Sequence, residues 1–273
     1  MKIAFLISAG RFPSGILQAL RAQLPQHQLI HWPRGESSPA TDIEVLLVLG
    51  EVTAAQMASQ TKLALIQTVT AGYEEIDINA ASKLGIWVSF APSEVTGNAA
   101  SVAEFAVLLM LGASRHLQQV VRLREDSASS LGIAPSMSGK TVCIVGLGNI
   151  GRLLVDRLRS FGMQILSTDH HPDRAPAEVK AFSSEQLHTA LAEADYVVVC
   201  ARAGKENENL IDRPAMEAMK RGAILVNIAR GSLIDENALY DLAKSGHIAA
   251  AGLDVLKPTP DGAKSHYSIC RRY

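Results

Sequence analysis

The sequence predicts an α/β protein built from two doubly wound parallel sheets. Short apolar runs alternate with helical stretches, the alternation occurs in two separate blocks, and one long apolar helix lies between the blocks. Each strand candidate is a nearly continuous apolar run, which is typical of strands buried on both faces. Strand–helix–strand repeats of this kind indicate parallel sheets with helices on both sides.

Each block contains five strand candidates. The first has predicted strands at 2–7, 28–32, 45–49, 64–69 and 86–90, and helices at 15–24, 54–60 and 76–83. The second has predicted strands at 141–145, 164–168, 196–200, 223–228 and 249–255, and helices at 150–161, 185–192, 213–219 and 237–245. We therefore expect a first domain at 1–97, a second at 98–260 and an atypical tail at 261–273.

The helix predicted at 98–115 is apolar almost all round its middle. Such a helix should be buried, either between domains or against another subunit. Its apolar stretch, 102–113, contains Glu104 and is too short to span a bilayer. The segment 125–138 is rich in Ser, Gly and Pro without any period, which predicts a linker.

Composition excludes several classes of function. The 273 residues include 26 basic and 27 acidic side chains, and the formal charge of −1 gives no basis for binding nucleic acid or an anionic membrane. The three cysteines form no CxxC pair, so neither a disulfide framework nor a thiolate metal site is expected. This cysteine usage favours a reducing compartment and predicts a cytoplasmic protein without a metal site.

The most informative motif is the glycine pattern Gly146-x-Gly148-x-x-Gly151, which follows a predicted strand and opens a predicted helix. Gly146 makes the tight turn, Gly148 lets a pyrophosphate approach the backbone, and Gly151 lets helix and strand pack closely. Asn149 and Ile150 begin the helix, whose free N–H groups attract phosphate. In that context the pattern predicts a Rossmann dinucleotide site, and the alternative is a glycine-rich turn without a ligand.

Asp169 stands at the end of the next predicted strand. A carboxylate there accepts hydrogen bonds from the adenosine ribose and repels a 2′-phosphate, which favours NAD over NADP. His170, His171 and Arg174 lie nearby and would weaken that preference.

Four segments together resemble the D-isomer-specific 2-hydroxyacid dehydrogenases, the group that includes phosphoglycerate, glyoxylate and hydroxypyruvate reductases. The segments are 70–77, 102–106, 138–151 and 219–231, in the family's order, and the resemblance covers about 2–255. It implies a flavodoxin-like substrate domain, a Rossmann NAD-binding domain and a homodimer. The implied activity is the NAD-dependent interconversion of a small D-2-hydroxy acid and its 2-oxo acid.

The resemblance also implies roles for individual residues. Arg230 would bind the substrate carboxylate and stabilise charge growing on the carbonyl oxygen, as a planar guanidinium can. Asp254 would lie beside the nicotinamide carboxamide. Further cofactor contacts are expected at Cys200 and Ala229, and substrate contacts at Ala71, Gly72 and Asn98, for which an ordinary helix cap is the alternative role.

The chain departs from the family pattern at three places. Thr259 occupies the position of the glutamate that supports the family's proton-donating histidine, and His266 is the tail's one histidine, without the Thr-Pro-His context. The sequence no longer follows the family pattern after Pro260, which motivates the hypothesis that the reading frame is shifted or shortened. Arg202 lies where the family has a proline-containing turn, and it would either disturb cofactor placement or add a cation near the phosphates.

These departures leave three readings of the function. The first is a dehydrogenase whose proton donor is missing or unidentified. The second is an inactive NAD(H)-binding or sensing protein on the same scaffold, as in the C-terminal-binding-protein corepressors. The third is an unstable fragment with an uncovered sheet edge and apolar face.

Overall fold

The computed structural model describes residues 1–7, 15–117 and 136–257, and the chain forms two compact units that divide between Gly97 and Asn98. Most of the predicted linker, and the tail with Thr259, Pro260 and His266, lie outside the described residues. Across the described ranges, no helix is long and apolar enough to cross a membrane.

The first unit is a five-stranded parallel sheet, and all five predicted strands are present. Its strand order is β2-β1-β3-β4-β5, the flavodoxin-like order that the family resemblance implies. The core contains Leu6, Trp32, Leu46 and Ile66. The strands are β1 (Lys2–Ile7), β2 (Gln28–Pro33), β3 (Val45–Val48), β4 (Leu65–Thr68) and β5 (Trp87–Ser89), and the helices are α1 (Ile16–Gln23), α2 (Ala54–Ala58), α3 (Ile78–Lys83) and α4 (Ser93–Thr96).

The second unit begins with the long helix and continues as a six-stranded parallel sheet. The strand order β8-β7-β6-β9-β10-β11 is the doubly wound order of dinucleotide-binding proteins. Its strands are β6 (Thr141–Val145), β7 (Gln164–Asp169), β8 (Lys180–Ser183), β9 (Tyr196–Val199), β10 (Ala223–Asn227) and β11 (Ile248–Leu253). Its helices are α5 (Asn98–Ser114), α6 (Asn149–Arg159), α7 (Leu187–Ala192), α8 (Arg213–Ala218) and α9 (Glu236–Lys244).

The prediction of five strands in this unit was wrong, because β8 was missed. β8 is the edge strand, and it pairs only with β7, from Leu166↔Lys180 to Asp169↔Ser183. Of its four residues only Phe182 is buried. An edge strand does not need an apolar run on both faces, so the signal that revealed the central strands is absent here.

Successive side chains of the central strands enter two separate cores. In β6, Cys143 and Val145 join the cluster under α7, α8 and α9, whereas Val142 and Ile144 join the cluster with α5 and α6. Burial on both faces explains why this strand is an unbroken apolar run.

Helix α5 is buried along one side by the second unit, and its opposite apolar side is exposed in the single chain. Ala103, Ala106 and Met110 are fully buried in the second unit's core. On the opposite side Phe105 is 39% exposed and Leu108 is 50% exposed. The periodicity alone could not separate these faces, because both are apolar.

Candidate functional site

The ends of the second unit's central strands are joined by backbone hydrogen bonds along one edge. Gly146 N donates to Thr168 O (2.8 Å), and Cys200 N donates to Val145 O (2.8 Å). Ile228 N donates to Val199 O (3.3 Å). This carboxyl edge is where ligands bind in open α/β sheets. The structure places the predicted Gly146, Asp169, Cys200, Ala229 and Asp254 along it.

The glycine loop between β6 and α6 has the geometry that a dinucleotide requires. Gly146 has φ +94°, and a Cβ there would lie 2.6 Å from Ala201 Cα. A Cβ on Gly151 would lie 2.5 Å from the carbonyl oxygen of Gly146. At Gly148, by contrast, an added Cβ would have no atom of the described part of the chain within 4 Å, its chain neighbours aside. Two glycines are therefore required by packing, and the third leaves open space at the helix N-terminus, where a pyrophosphate fits.

Asp169, the last residue of β7, holds this loop in place. Its Oδ2 accepts a hydrogen bond from Leu147 N (2.8 Å), and its Oδ1 accepts one from His171 N (2.9 Å). Burial raises the pKa of Asp169, but the backbone donors His171 and Leu147 and the nearby charges of His170 and His171 outweigh it, so the pKa lies below its usual value. The carboxylate is thus charged at neutral pH, and each oxygen keeps acceptor capacity for a ribose hydroxyl.

The loop after β10 is organised by a buried side chain that sequence reasoning did not single out. Asn227 Nδ2 donates to Arg230 O (2.9 Å), and Asn227 Oδ1 accepts from Ala229 N (3.0 Å). Arg230 itself is exposed, with extended backbone, and its Nη1 donates to Ala229 O (2.8 Å). Asn227 fixes the backbone from which the arginine projects. Its position at the end of an apolar strand was the available signal, because a buried amide there needs partners.

Asp254 lies at the end of β11 beside this loop. Its backbone N donates to Asn227 O (3.0 Å). Gly231 packs so closely on the Leu256–Lys257 backbone that no side chain would fit there. Burial raises the pKa of the Asp254 carboxyl, so a ligand that donates a hydrogen bond to it, such as a carboxamide, would be favourable.

The remaining sites are less well defined by contacts. In the first unit Ala71 and Gly72 lie in the loop after β4, where Thr70 Oγ1 donates to Gly72 O (3.2 Å) and the ring of Tyr73 lies 5.5 Å from that of Phe90. Asn98 is the first residue of α5.

Burial raises the pKa of the Cys200 thiol to about 12, so Cys200 adds no charge to the carboxyl edge of the sheet. Within the described ranges no cluster of three potential metal ligands occurs.

The sheet order, the glycine loop and the acid at the end of β7 define a Rossmann-type dinucleotide-binding protein. The chain belongs to the D-isomer-specific 2-hydroxyacid dehydrogenase family: residues 36–142 match the family's catalytic domain, and residues 107–270 match its NAD-binding domain. The second match reaches residue 270, so the likeness extends beyond the range of about 2–255 that the four motifs indicate.

Two curated relatives and one solved structure show how similar the chain is to known proteins. The chain is 35% identical to D-3-phosphoglycerate dehydrogenase of Mycobacterium leprae over 257 residues, which is 90% of this chain and 48% of that protein. It is 34% identical to glyoxylate reductase of Thermococcus litoralis, covering 84% of this chain and 72% of that protein. The solved structure of TT0316 protein from Thermus thermophilus superposes with a TM-score of 0.79 at 28% identity, covering 96% of this chain and 85% of that one. The chain thus spans about half the length of the mycobacterial relative.

Proposed function

We propose that this protein uses NADH to reduce a small 2-oxo acid to the D-2-hydroxy acid, and catalyses the reverse reaction with NAD. The observation that carries the proposal is the fixed position of Arg230. Asn227 holds the arginine's backbone on the same strand edge as the glycine loop. The edge therefore offers a guanidinium for an anionic substrate and a helix N-terminus for a dinucleotide.

The chemistry divides between the cofactor and the chain. Bound NADH supplies the hydride. Arg230 binds the substrate carboxylate with its planar fork and stabilises negative charge that develops on the carbonyl oxygen. Asp169 orients the adenosine ribose, Asp254 accepts a hydrogen bond from the carboxamide, and Cys200 and Ala229 border the cofactor. The family resemblance also assigns substrate contacts to the backbone N–H groups of Ala71 and Gly72 and to Asn98.

The source of the proton distinguishes this enzyme from a second candidate function, an NAD(H)-binding protein without turnover. None of the described histidines lies in the loops that leave β9, β10 and β11. His247 precedes β11, and its Nε2 lies 3.0 Å from Met216 O. If no imidazole reaches Arg230, binding persists while reduction becomes slow, so the lack of a histidine in the described parts of these three loops favours the binder.

A direct assay separates the two functions. The purified chain is mixed with NADH and then with glyoxylate, hydroxypyruvate or pyruvate, and the absorbance of NADH is followed together with its fluorescence. We expect saturable binding and then oxidation that depends on the 2-oxo acid. Saturable binding with a stable absorbance for all three acids would support the binder instead.

Asp169 should determine the choice between NADH and NADPH. We expect the unmutated protein to prefer NADH, and Asp169→Ala to reduce the ratio of NADPH to NADH dissociation constants by about tenfold or more, because repulsion of the 2′-phosphate disappears. Fluorescence titration with both cofactors measures this ratio. NADH binding itself should weaken as the ribose acceptor is lost. An unchanged ratio would contradict the assignment of Asp169 to the ribose.

The exposed side of α5 is our proposed dimer surface. Val102, Phe105 and Leu108 line an open groove of about 490 Å³, together with Ser101 and Glu104 of the same helix and Asp254 at the end of β11. Apolar side chains in a contiguous groove favour burial against a second copy of the chain. Leu108→Glu should convert a dimer into a monomer in light scattering after size exclusion, whereas Tyr240→Glu on α9, where the side chain is 49% exposed, should not. A monomeric unmutated protein would contradict the proposal.

We propose that the protein is cytoplasmic. Cys143 and Cys200 are both free thiols, which is compatible with the cytoplasm that the cysteine usage predicts.

A further inference from the structure

The turn after β9 packs directly on the glycine loop. Cys200 N donates to Val145 O, and the Ala201 backbone fills the space that a side chain on Gly146 would need. The next residue, Arg202, therefore leaves the backbone one position away from this contact, and its side chain is exposed. An exposed cation therefore follows directly after the residue that packs on Gly146 of the glycine loop.

This turn is held by one side chain. Asn207 Nδ2 donates to Arg202 O (2.8 Å), and Asn207 Oδ1 accepts from Gly204 N (2.8 Å). The two hydrogen bonds close the turn over a short 3₁₀ helix, Lys205–Asn207. The backbone at Arg202 is therefore fixed before any ligand arrives, which lowers the entropy cost of binding.

The glycine loop lacks a charged donor of its own. Residues 146–151 contain no Lys or Arg. The following residue, Arg152, directs its Nη2 to the carbonyl oxygen of Arg174 (2.7 Å), which lies beyond β7 on the ribose side. Asp169 adds a negative charge at the same edge. Residues 146–151 themselves offer a doubly negative pyrophosphate backbone N–H groups and the partial charge of the α6 N-terminus, but no charged side chain.

We propose that Arg202 is a pyrophosphate-binding residue, which supplies the charged donor that the glycine loop lacks. The inference rests on the proposed NAD(H) site and adds a residue outside the glycine pattern to it. A guanidinium forms charge-assisted, bidentate hydrogen bonds with phosphate oxygens. On the same turn Lys205 and Glu206 carry opposite charges, so Arg202 gives residues 200–207 their net positive charge.

The test compares ligands with and without a pyrophosphate. Unmutated protein and Arg202→Gln are titrated with NADH, ADP-ribose and adenosine at low and moderate salt. We expect the dissociation constants of NADH and ADP-ribose to rise about tenfold or more, and that of adenosine to stay the same. The salt dependence of NADH binding should become weaker as well. Arg202→Lys should recover part of the loss, because it keeps the charge without the fork.

Arg221→Gln is the matched control, because this exposed arginine precedes β10 at the opposite edge of the sheet. An unchanged dissociation constant for NADH in Arg202→Gln would overturn the inference. So would an effect limited to the Michaelis constant for the oxo-acid substrate, which would assign Arg202 to the substrate. Failure of the unmutated protein to bind NADH would overturn the proposed function itself, and its own titration reveals that outcome separately.

Discussion

Arg230→Gln should lower kcat/KM for the oxo-acid substrate by about 10³-fold while leaving the dissociation constant of NADH nearly unchanged. The variant loses a charged donor to the substrate carboxylate and the stabilisation of charge on the carbonyl oxygen, and either loss alone is large. The exposed side chain contributes little to packing, so the fold should persist. Steady-state kinetics with NADH and hydroxypyruvate, with circular dichroism as a folding control, measure the effect.

Arg230→Lys makes this prediction more specific. Lysine keeps the charge but cannot hold a carboxylate and a carbonyl with one planar group, so we expect an intermediate loss. Equal activity of the lysine variant and the unmutated protein would show that only charge matters at this position. Full activity of Arg230→Gln would contradict the assignment of Arg230 to the substrate.

Gly148→Val should weaken NADH binding by about 100-fold or more without unfolding the protein. Apart from its chain neighbours, no described residue has an atom within 4 Å of the added Cβ, and φ −75° with ψ −162° is open to any residue. The valine instead occupies the space that a pyrophosphate needs and blocks the backbone donors behind it. Fluorescence titration and a thermal melt report binding and stability separately.

Gly151→Val is the contrasting variant on the same loop. Its Cβ would lie 2.5 Å from Gly146 O and 3.3 Å from Ile144 Cγ2, so it should lower the melting temperature. Loss of stability in Gly151→Val but not in Gly148→Val would separate the packing role from the ligand role. Undiminished NADH binding by Gly148→Val would place the dinucleotide elsewhere.

Most of the fold could be predicted from the sequence, because a strand that is buried on both faces is an uninterrupted apolar run. The strand 141–145 was predicted with its observed bounds, because neither face of β6 reaches solvent. β8 could not be predicted in this way, since an edge strand with one buried residue has no apolar run. The sequence also could not show which side of α5 is exposed, because both faces of this helix are apolar.

The candidate site was predictable where a residue type serves a single purpose. A glycine is needed where a side chain would collide, as at Gly146 and Gly151, and this need is local enough to read from a motif. Asn227 organises its own loop through Ala229 and Arg230, whereas the turn at Arg202 contacts a glycine loop that is distant in sequence. Asn227 lies in an apolar stretch of the sequence, which did not indicate its role. The contact between Ala201 and Gly146 could be predicted only with the strand order of the sheet.

The central claim is that hydride passes from NADH to a 2-oxo acid held by Arg230. Its most direct test is to incubate the protein with hydroxypyruvate and NADH deuterated at both C4 positions, and to analyse the product by NMR and chiral chromatography. We expect D-glycerate with deuterium at C2. Bound NADH that leaves no deuterium in any hydroxy acid would contradict this claim and identify the protein as an NAD(H) binder.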